Sequence, residues 1–216
     1  MPKVGVVLSG CGVFDGAEIH ESVLTLLALD KAGAEILCFA PDIPQTQVIQ
    51  HNTGSVATGE ARNVLIEAAR ISRGVIEPLS NAHPSLMDAV IFPGGFGVAK
   101  NLSSFAFQGA ECTIEPDVAR LLRDMHSWEK PIGMACIAPI IAAKLFGAEV
   151  TIGNDPATAE AIRQMGGKHV ERTVTEIHVD ETHRIVTTPA YMCEASVSEV
   201  AIGIERMVHA VLDMVR

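Results

Sequence analysis

Short apolar runs alternate with helical segments along this chain, and no other feature restricts its fold as strongly. Val4–Leu8 is an apolar run, followed by the glycine-rich connection SGCGVFDG and a helix beginning near Ala17 with Ile19, Val23, Leu26 and Leu27 on one face. Glu35–Ala40 reads as a second strand, and Gly59–Ser72 as a helix. Leu86–Gly97 (LMDAVIFPGGFG) runs a strand into paired glycines, and Pro116–Trp128 is a helix with Glu115 and Asp117 at its start. Pro131–Met134 and Glu149–Ile152 are further strands, and Pro139–Gly147 is a helix with proline in its first turn. This alternation predicts a parallel sheet with helices on both faces. Thr173–Thr188 alternates polar and apolar residues around Asp180–His183 and predicts a hairpin. Val197, Val200, Ala201, Ile204, Val208, Val211, Leu212 and Val215 stripe a C-terminal helix that packs on the sheet. At 216 residues, with no repeat or linker, one α/β domain spanning 1–216 is expected.

Composition narrows the function. Apolar residues make up 48% but aromatics only 4%, so the core is aliphatic. A mean hydropathy of +0.29 leaves apolar surface to bury between subunits, and a homodimer is the expectation. The net charge of −10 argues against unaided nucleic-acid binding and against anionic membranes, leaving a small neutral or weakly charged substrate. MPKVGVVL enters the first strand with no secretory pattern, and five cysteines lack a disulfide framework, so a cytosolic, reduced protein is expected. Cys11, Cys38, Cys112 and Cys193 are read as structural or incidental. Gly10, Gly12 and Gly16 follow the first strand, but the third glycine of a dinucleotide fingerprint falls on Asp15, and no phosphate-binding loop occurs. No nucleotide or other cofactor is expected. His178, Asp180 and His183 lack a third anchoring cluster, so no metal site is expected either.

The chemistry concentrates in Lys130–Gly147, KPIGMACIAPIIAAKLFG, which places Cys136 between a strand and a helix. A free cysteine is commonly a small core hydrophobe. At a helix N-terminus, however, backbone N–H groups and the peptide dipoles favour thiolate, lowering a pKa that starts near ~8.5. Taken locally, the sequence admits both roles. Pro93-Gly94-Gly95 adds a strand end whose free amides can hold an oxyanion, although such a sequence is also an ordinary turn. Glu18 and Glu21 read as solvated carboxylates in a helical first turn, unless this helix and the Cys136 elbow share the C-terminal edge of one sheet. In that case Glu21 approaches Cys136. His20, about 100° around the helix from Glu21, is read as a surface residue.

Gly16-Ala17-Glu18-x-x-Glu21, Pro93-Gly94-Gly95 and Cys136, in that order, resemble the PfpI-type, class I glutamine-amidotransferase-like superfamily. The segments SGCGVFDGAEIHESVLTLLAL, GEARNVLIEAARI, FPGGFGVAKNLS, GMACIAP and IVTTPAYM, across essentially the whole chain, resemble its ElbB group, linked to isoprenoid biosynthesis and described as glyoxalase-like. The resemblance implies a flavodoxin-like, doubly wound, mostly parallel sheet with an added hairpin. It also implies Cys136 as nucleophile, Glu21 as its proton-exchanging neighbour, and Gly95 and Ile137 as backbone donors. PfpI proteases carry histidine where this chain has Ile137, and the His-x-Glu pair of glutamine amidotransferases is absent. Gly94, Asn101, Thr187, Thr188 and Tyr191 are expected around the substrate. The function that follows is cofactor-free conversion of glyoxal or related reactive carbonyls to the hydroxy acid, with deglycation as the same chemistry on larger substrates. The alternative is a non-catalytic, redox-sensing or stress-related binding protein.

Overall fold

The computed structural model describes residues 1–215. In chain order the elements are β1 (Lys3–Val7), α1 (Ile19–Lys31), β2 (Glu35–Ala40), β3 (Ile49–Gln50), β4 (Ser55–Val56), α2 (Val64–Ala68), β5 (Glu77–Pro78), β6 (Ala89–Phe92), α3 (Phe96–Lys100) and α4 (Phe105–Gln108). There follow α5 (Pro116–Ser127), β7 (Ile132–Ala135), α6 (Pro139–Phe146), β8 (Glu149–Val150), α7 (Pro156–Gln164), β9 (Lys168–His169), β10 (His178–Asp180), β11 (Ile185–Thr188) and α8 (Val197–Val215). Seven strands form the main sheet in the order β10-β11-β7-β6-β1-β2-β5. All neighbours are parallel except β10 and β11, the hairpin at one edge. The mostly parallel, doubly wound, flavodoxin-like fold is therefore the one expected.

Period-two alternation sends each strand's side chains to opposite layers. Ala89 and Ile91 of β6 join Val4 and Val6 beneath α1 and α8, whereas Val90 and Phe92 join Ile132 and Met134 beneath α5 and α6. Because both faces are covered, β6, β7 and β11 are buried along their whole length, and β6 and β7 read as continuous apolar runs. Glu115 caps α5, accepting from the Val118 amide at 2.9 Å, and Pro116 occupies the position where a missing N–H costs nothing.

Four expectations change. The helix expected over Gly59–Ser72 is only Val64–Ala68, because Asn63 accepts from the Ile66 amide and starts it late. The strand expected over Glu149–Ile152 is short and leaves the main sheet to pair with β9, since β11 holds the place beside β7. The face of α1 is turned over: Ile19, Val23 and Leu27 are exposed and Leu26 is half-buried, while Glu21, Ser22, Thr25, Ala28 and Leu29 are buried. Lastly, Val197 of the α8 stripe is exposed, although Val200, Ile204, Val208, Val211 and Leu212 are packed as expected.

Candidate active site

The strand order reverses direction at β1, which has β2 on one side and β6 on the other, and ligands of open α/β sheets gather beyond the strand ends at such a point. The connections leaving β1 and β6 interlock there. The Glu18 amide donates to the Gly94 carbonyl at 2.9 Å, Phe96 to Val13 at 2.8 Å, and Gly97 to Gly16 at 2.9 Å. Gly95 sits at φ 102°, where a side chain is strained, and a Cβ there would overlap the Glu18 amide and the Gly16 carbonyl. The paired glycines thus allow two backbones to touch at the floor of the site.

Cys136 follows β7 on a sharp elbow at φ 61°, a region costly for a residue with a Cβ. Its amide donates to the Thr188 carbonyl at 3.0 Å, which fastens the elbow to the end of β11. Glu21 reaches the same point from α1 and is fully buried. Its Oε2 accepts from the Gly94 amide at 2.8 Å and its Oε1 from the Tyr191 amide at 3.2 Å. A hydrogen bond links the Glu21 carboxylate to the Cys136 thiol, and the Gly95 and Ile137 amides donate toward the sulfur. Cys136, Glu21, Gly95 and Ile137, distant in sequence, therefore share one point.

The electrostatics differ from the expectation of a resting thiolate. Burial and the Glu21 charge raise the Cys136 pKa well above its ordinary value, outweighing the two amides that lower it. Burial and the nearby Glu18 carboxylate push Glu21 up as well, to about 7, against the opposing pull of its hydrogen bonds. Like charges in one dry site do not ionise together, so near neutrality the pair holds one negative charge at most. The thiol is served by a neighbouring base whose pKa of about 7 lies near neutrality, rather than by the helix end alone.

A cavity of about 330 Å³ opens beside the sulfur, lined by the apolar Phe96, Phe105, Ile137 and Met192 and by the polar Glu18, Asp155, Thr158 and Tyr191. Of the five residues expected around the substrate Tyr191 alone lines it, beside the expected backbone donors Gly95 and Ile137. The others lie behind the wall. Gly94 is sealed between Cys136 and Glu21. Asn101 is buried and used up, its Nδ2 donating to the Ser9 and Asp15 carbonyls and its Oδ1 accepting from the Thr46 amide. Thr187 and Thr188 are fully buried, with hydroxyls bonded to the Thr151 amide and the Glu176 carbonyl. His20 is exposed, as expected, yet its Nδ1 lies 2.8 Å from the Tyr191 hydroxyl. Glu18, read as solvated, is buried instead, accepting from the Glu21 amide at 2.7 Å. Asp155 went unnoticed. Asp155-Pro156 signals a helix start, but only the tertiary structure turns that start toward Cys136.

No family model matches the chain. It is 49% identical over 222 aligned residues, 98% of this chain and 83% of the other, to the human glutamine amidotransferase-like class 1 domain-containing protein 3, mitochondrial. Among solved structures it resembles the isoprenoid biosynthesis protein with amidotransferase-like domain from Ehrlichia chaffeensis, with 35% identity, all of both chains covered and a TM-score of 0.93. The Drosophila melanogaster DJ-1beta structure shares the fold at 16% identity and a TM-score of 0.54, covering 99% of this chain and 95% of that one. The cytosolic expectation is overturned: the curated relatives from human, rat and zebrafish all bear mitochondrial names, which point to the mitochondrion rather than the cytoplasm.

Proposed function

Because the chain belongs to the glutamine amidotransferase-like class 1 family that its curated relatives represent, we propose that it uses Cys136 for thiol addition to small reactive carbonyls, most concretely the conversion of glyoxal to glycolate. The observation that carries this reading is the meeting of the buried Glu21 carboxyl, with a pKa of about 7, and two backbone donors at a thiol that lines a cavity. Among the described residues no histidine lines that cavity, and Ile137 follows the cysteine, so this lining offers no Cys–His pair of the kind used in peptide or amide hydrolysis. Glu21 stands where the base is needed.

The steps balance without an external oxidant. Glu21 takes the thiol proton as the sulfur bonds to one aldehyde carbon, and the carbonyl electron pair moves to oxygen, where the Gly95 and Ile137 amides hold it. The hydrogen on that carbon leaves as a proton and is delivered to the neighbouring carbon through the enediol. One aldehyde is thereby oxidised to a thioester and the other reduced to an alcohol. Water then cleaves the thioester, and the released sulfur recovers its proton. Glyoxal and one water become glycolic acid.

A redox-sensing role fits less well, since sensor thiols are accessible and low in pKa, while Cys136 is 7% exposed and raised. The test is glyoxal turnover with wild type and Cys136→Ser. Many turnovers in wild type, falling at least ~10³-fold in the variant, support the enzyme. Adduct formation that stops at one equivalent would sink it.

A further inference from the structure

The walls of the cavity carry charge of one sign. Glu18 and Asp155 both line it, and among the described residues no lysine, arginine or histidine does. Neither carboxylate is placed there incidentally, because each caps a helix. Glu18 accepts from the Glu21 amide at 2.7 Å at the start of α1, and Asp155 from the Thr158 amide at 2.7 Å at the start of α7. Glu18 is only 8% exposed, so its charge is poorly screened by water. The Thr158 amide and hydroxyl hold the Asp155 carboxyl below its usual range, which keeps it ionised at neutral pH. A nearby cation, Lys100, is turned to other work: its Nζ donates to the Phe14 carbonyl at 2.9 Å and sits 5.6 Å from the centre of the Phe96 ring, without lining the cavity. Phe96, Phe105, Ile137 and Met192, in the same lining, offer their surface to apolar groups.

Resting on the reading of Cys136 as the reacting group, we infer that this cavity selects its carbonyl substrates by charge. It admits neutral compounds and those carrying a protonated amine beside an apolar body, and it turns away carboxylates and phosphates. Glu18 and Asp155 are the residues that set this preference, and Cys136 feels it because all three line one cavity. An incoming anion meets two fixed negative charges in addition to the one on the Cys136–Glu21 pair, and among the described lining residues no cationic side chain offsets them. An incoming ammonium meets the reverse.

The sulfur itself can report this field without any turnover. The rate of Cys136 modification is followed by peptide-resolved mass spectrometry with three methanethiosulfonates, bearing a methyl, a trimethylammonium-ethyl or a sulfonatoethyl group. Each rate is normalised to that with glutathione. We expect the cationic reagent to outpace the anionic one at least ~10-fold after normalisation, and Asp155→Asn to cut that ratio about 5-fold by removing one partly screened charge. Asparagine caps a helix as well as aspartate, so α7 persists, and circular dichroism verifies it. Glu18→Gln gives a second, independent reduction. A ratio near one, a ratio untouched by both variants, or a cysteine that none of the three reagents reaches would overturn the inference. Should glyoxal turnover be absent while the ratio holds, the glyoxal reading fails and the charge selection stands. Turnover with a flat ratio means the reverse.

Discussion

Glu21 carries two costs that a surface glutamate does not, burial and a neighbouring carboxylate, and both weigh on the folded state. Its folded pKa of about 7 lies above the ordinary 4.5, so the folded protein binds a proton there more tightly than the unfolded chain does. The associated stability is fully present below pH 4.5 and is lost as pH rises to about 7, on the order of 3 kcal/mol at 1.36 kcal/mol per unit. Glu21→Gln removes this titration. It also sets an NH2 against one of the two backbone amides that Glu21 accepts, a loss that does not depend on pH. Urea unfolding of both proteins at pH 5.0 and 7.5 separates the two effects. The variant is expected to gain on the wild type by about 2 kcal/mol between the two pH values, and a constant difference would show that Glu21 keeps an ordinary pKa. In the glyoxal assay the same substitution is expected to cost ~10²-fold or more while alkylation of Cys136 persists, because glutamine cannot take up the thiol proton. Gly94 adds a steric test. A Cβ there would lie 2.6 Å from Glu21 Oε2 and 2.9 Å from Cys136 Sγ, so Gly94→Ala is expected to push the pair apart and lower turnover at least ~10-fold. Wild-type rates in Gly94→Ala would mean that the two groups need not touch.

Among the elements, α1 shows where sequence reading stops short. Its apolar residues Ile19, Val23 and Leu27 form a clear stripe, and hydropathy alone points that stripe inward. The structure buries the opposite face because the polar residues there are satisfied. Ser22 and Thr25 return their hydroxyls to the Glu18 and Glu21 carbonyls at 2.6 and 2.8 Å, and Glu21 finds its partners only once β6 and the Tyr191 turn are in place. Periodicity sees hydrophobicity, not a hydrogen bond supplied from 73 or 170 residues away. The strands were legible for the converse reason: β2 and β6 carry their burial in their own composition, and Pro139 and Gly147 bracket α6 through local backbone preferences. Turning α1 over makes a quantitative claim about two leucines of one helix. Leu29 is fully buried and Leu27 is 45% exposed. Leu29→Ala is expected to cost about 2–5 kcal/mol in equilibrium unfolding, and Leu27→Ala less than ~1 kcal/mol. The reverse order would restore the face that hydropathy suggests.

At the scale of the whole molecule, the site exists only as a product of the complete sheet. Glu21 follows β1, Gly94 and Gly95 follow β6, Cys136 follows β7, and Tyr191 follows β11, so four neighbouring strands must be in register before any two of these groups meet. The order of the segments along the chain made Cys136, Glu21 and Gly95 recognisable together, since a parallel sheet delivers every strand end to one side. The cavity's acidic wall was not legible, because Asp155 comes from a connection beyond β8, a strand whose departure from the main sheet no local signal announces. Such a construction predicts that the site and the fold are lost together. Trp128, the chain's one tryptophan, lies at the end of α5 against His83 and Lys130, outside the cavity lining, and its fluorescence reports a different part of the molecule. In a urea titration, glyoxal turnover, Trp128 emission and far-ultraviolet circular dichroism are expected to fall along one curve, as two-state unfolding requires. Turnover that vanished well before the other two signals would reveal a site assembled from loosely held connections, and would separate the positioning of Cys136 and Glu21 from the packing of the strands that carry them.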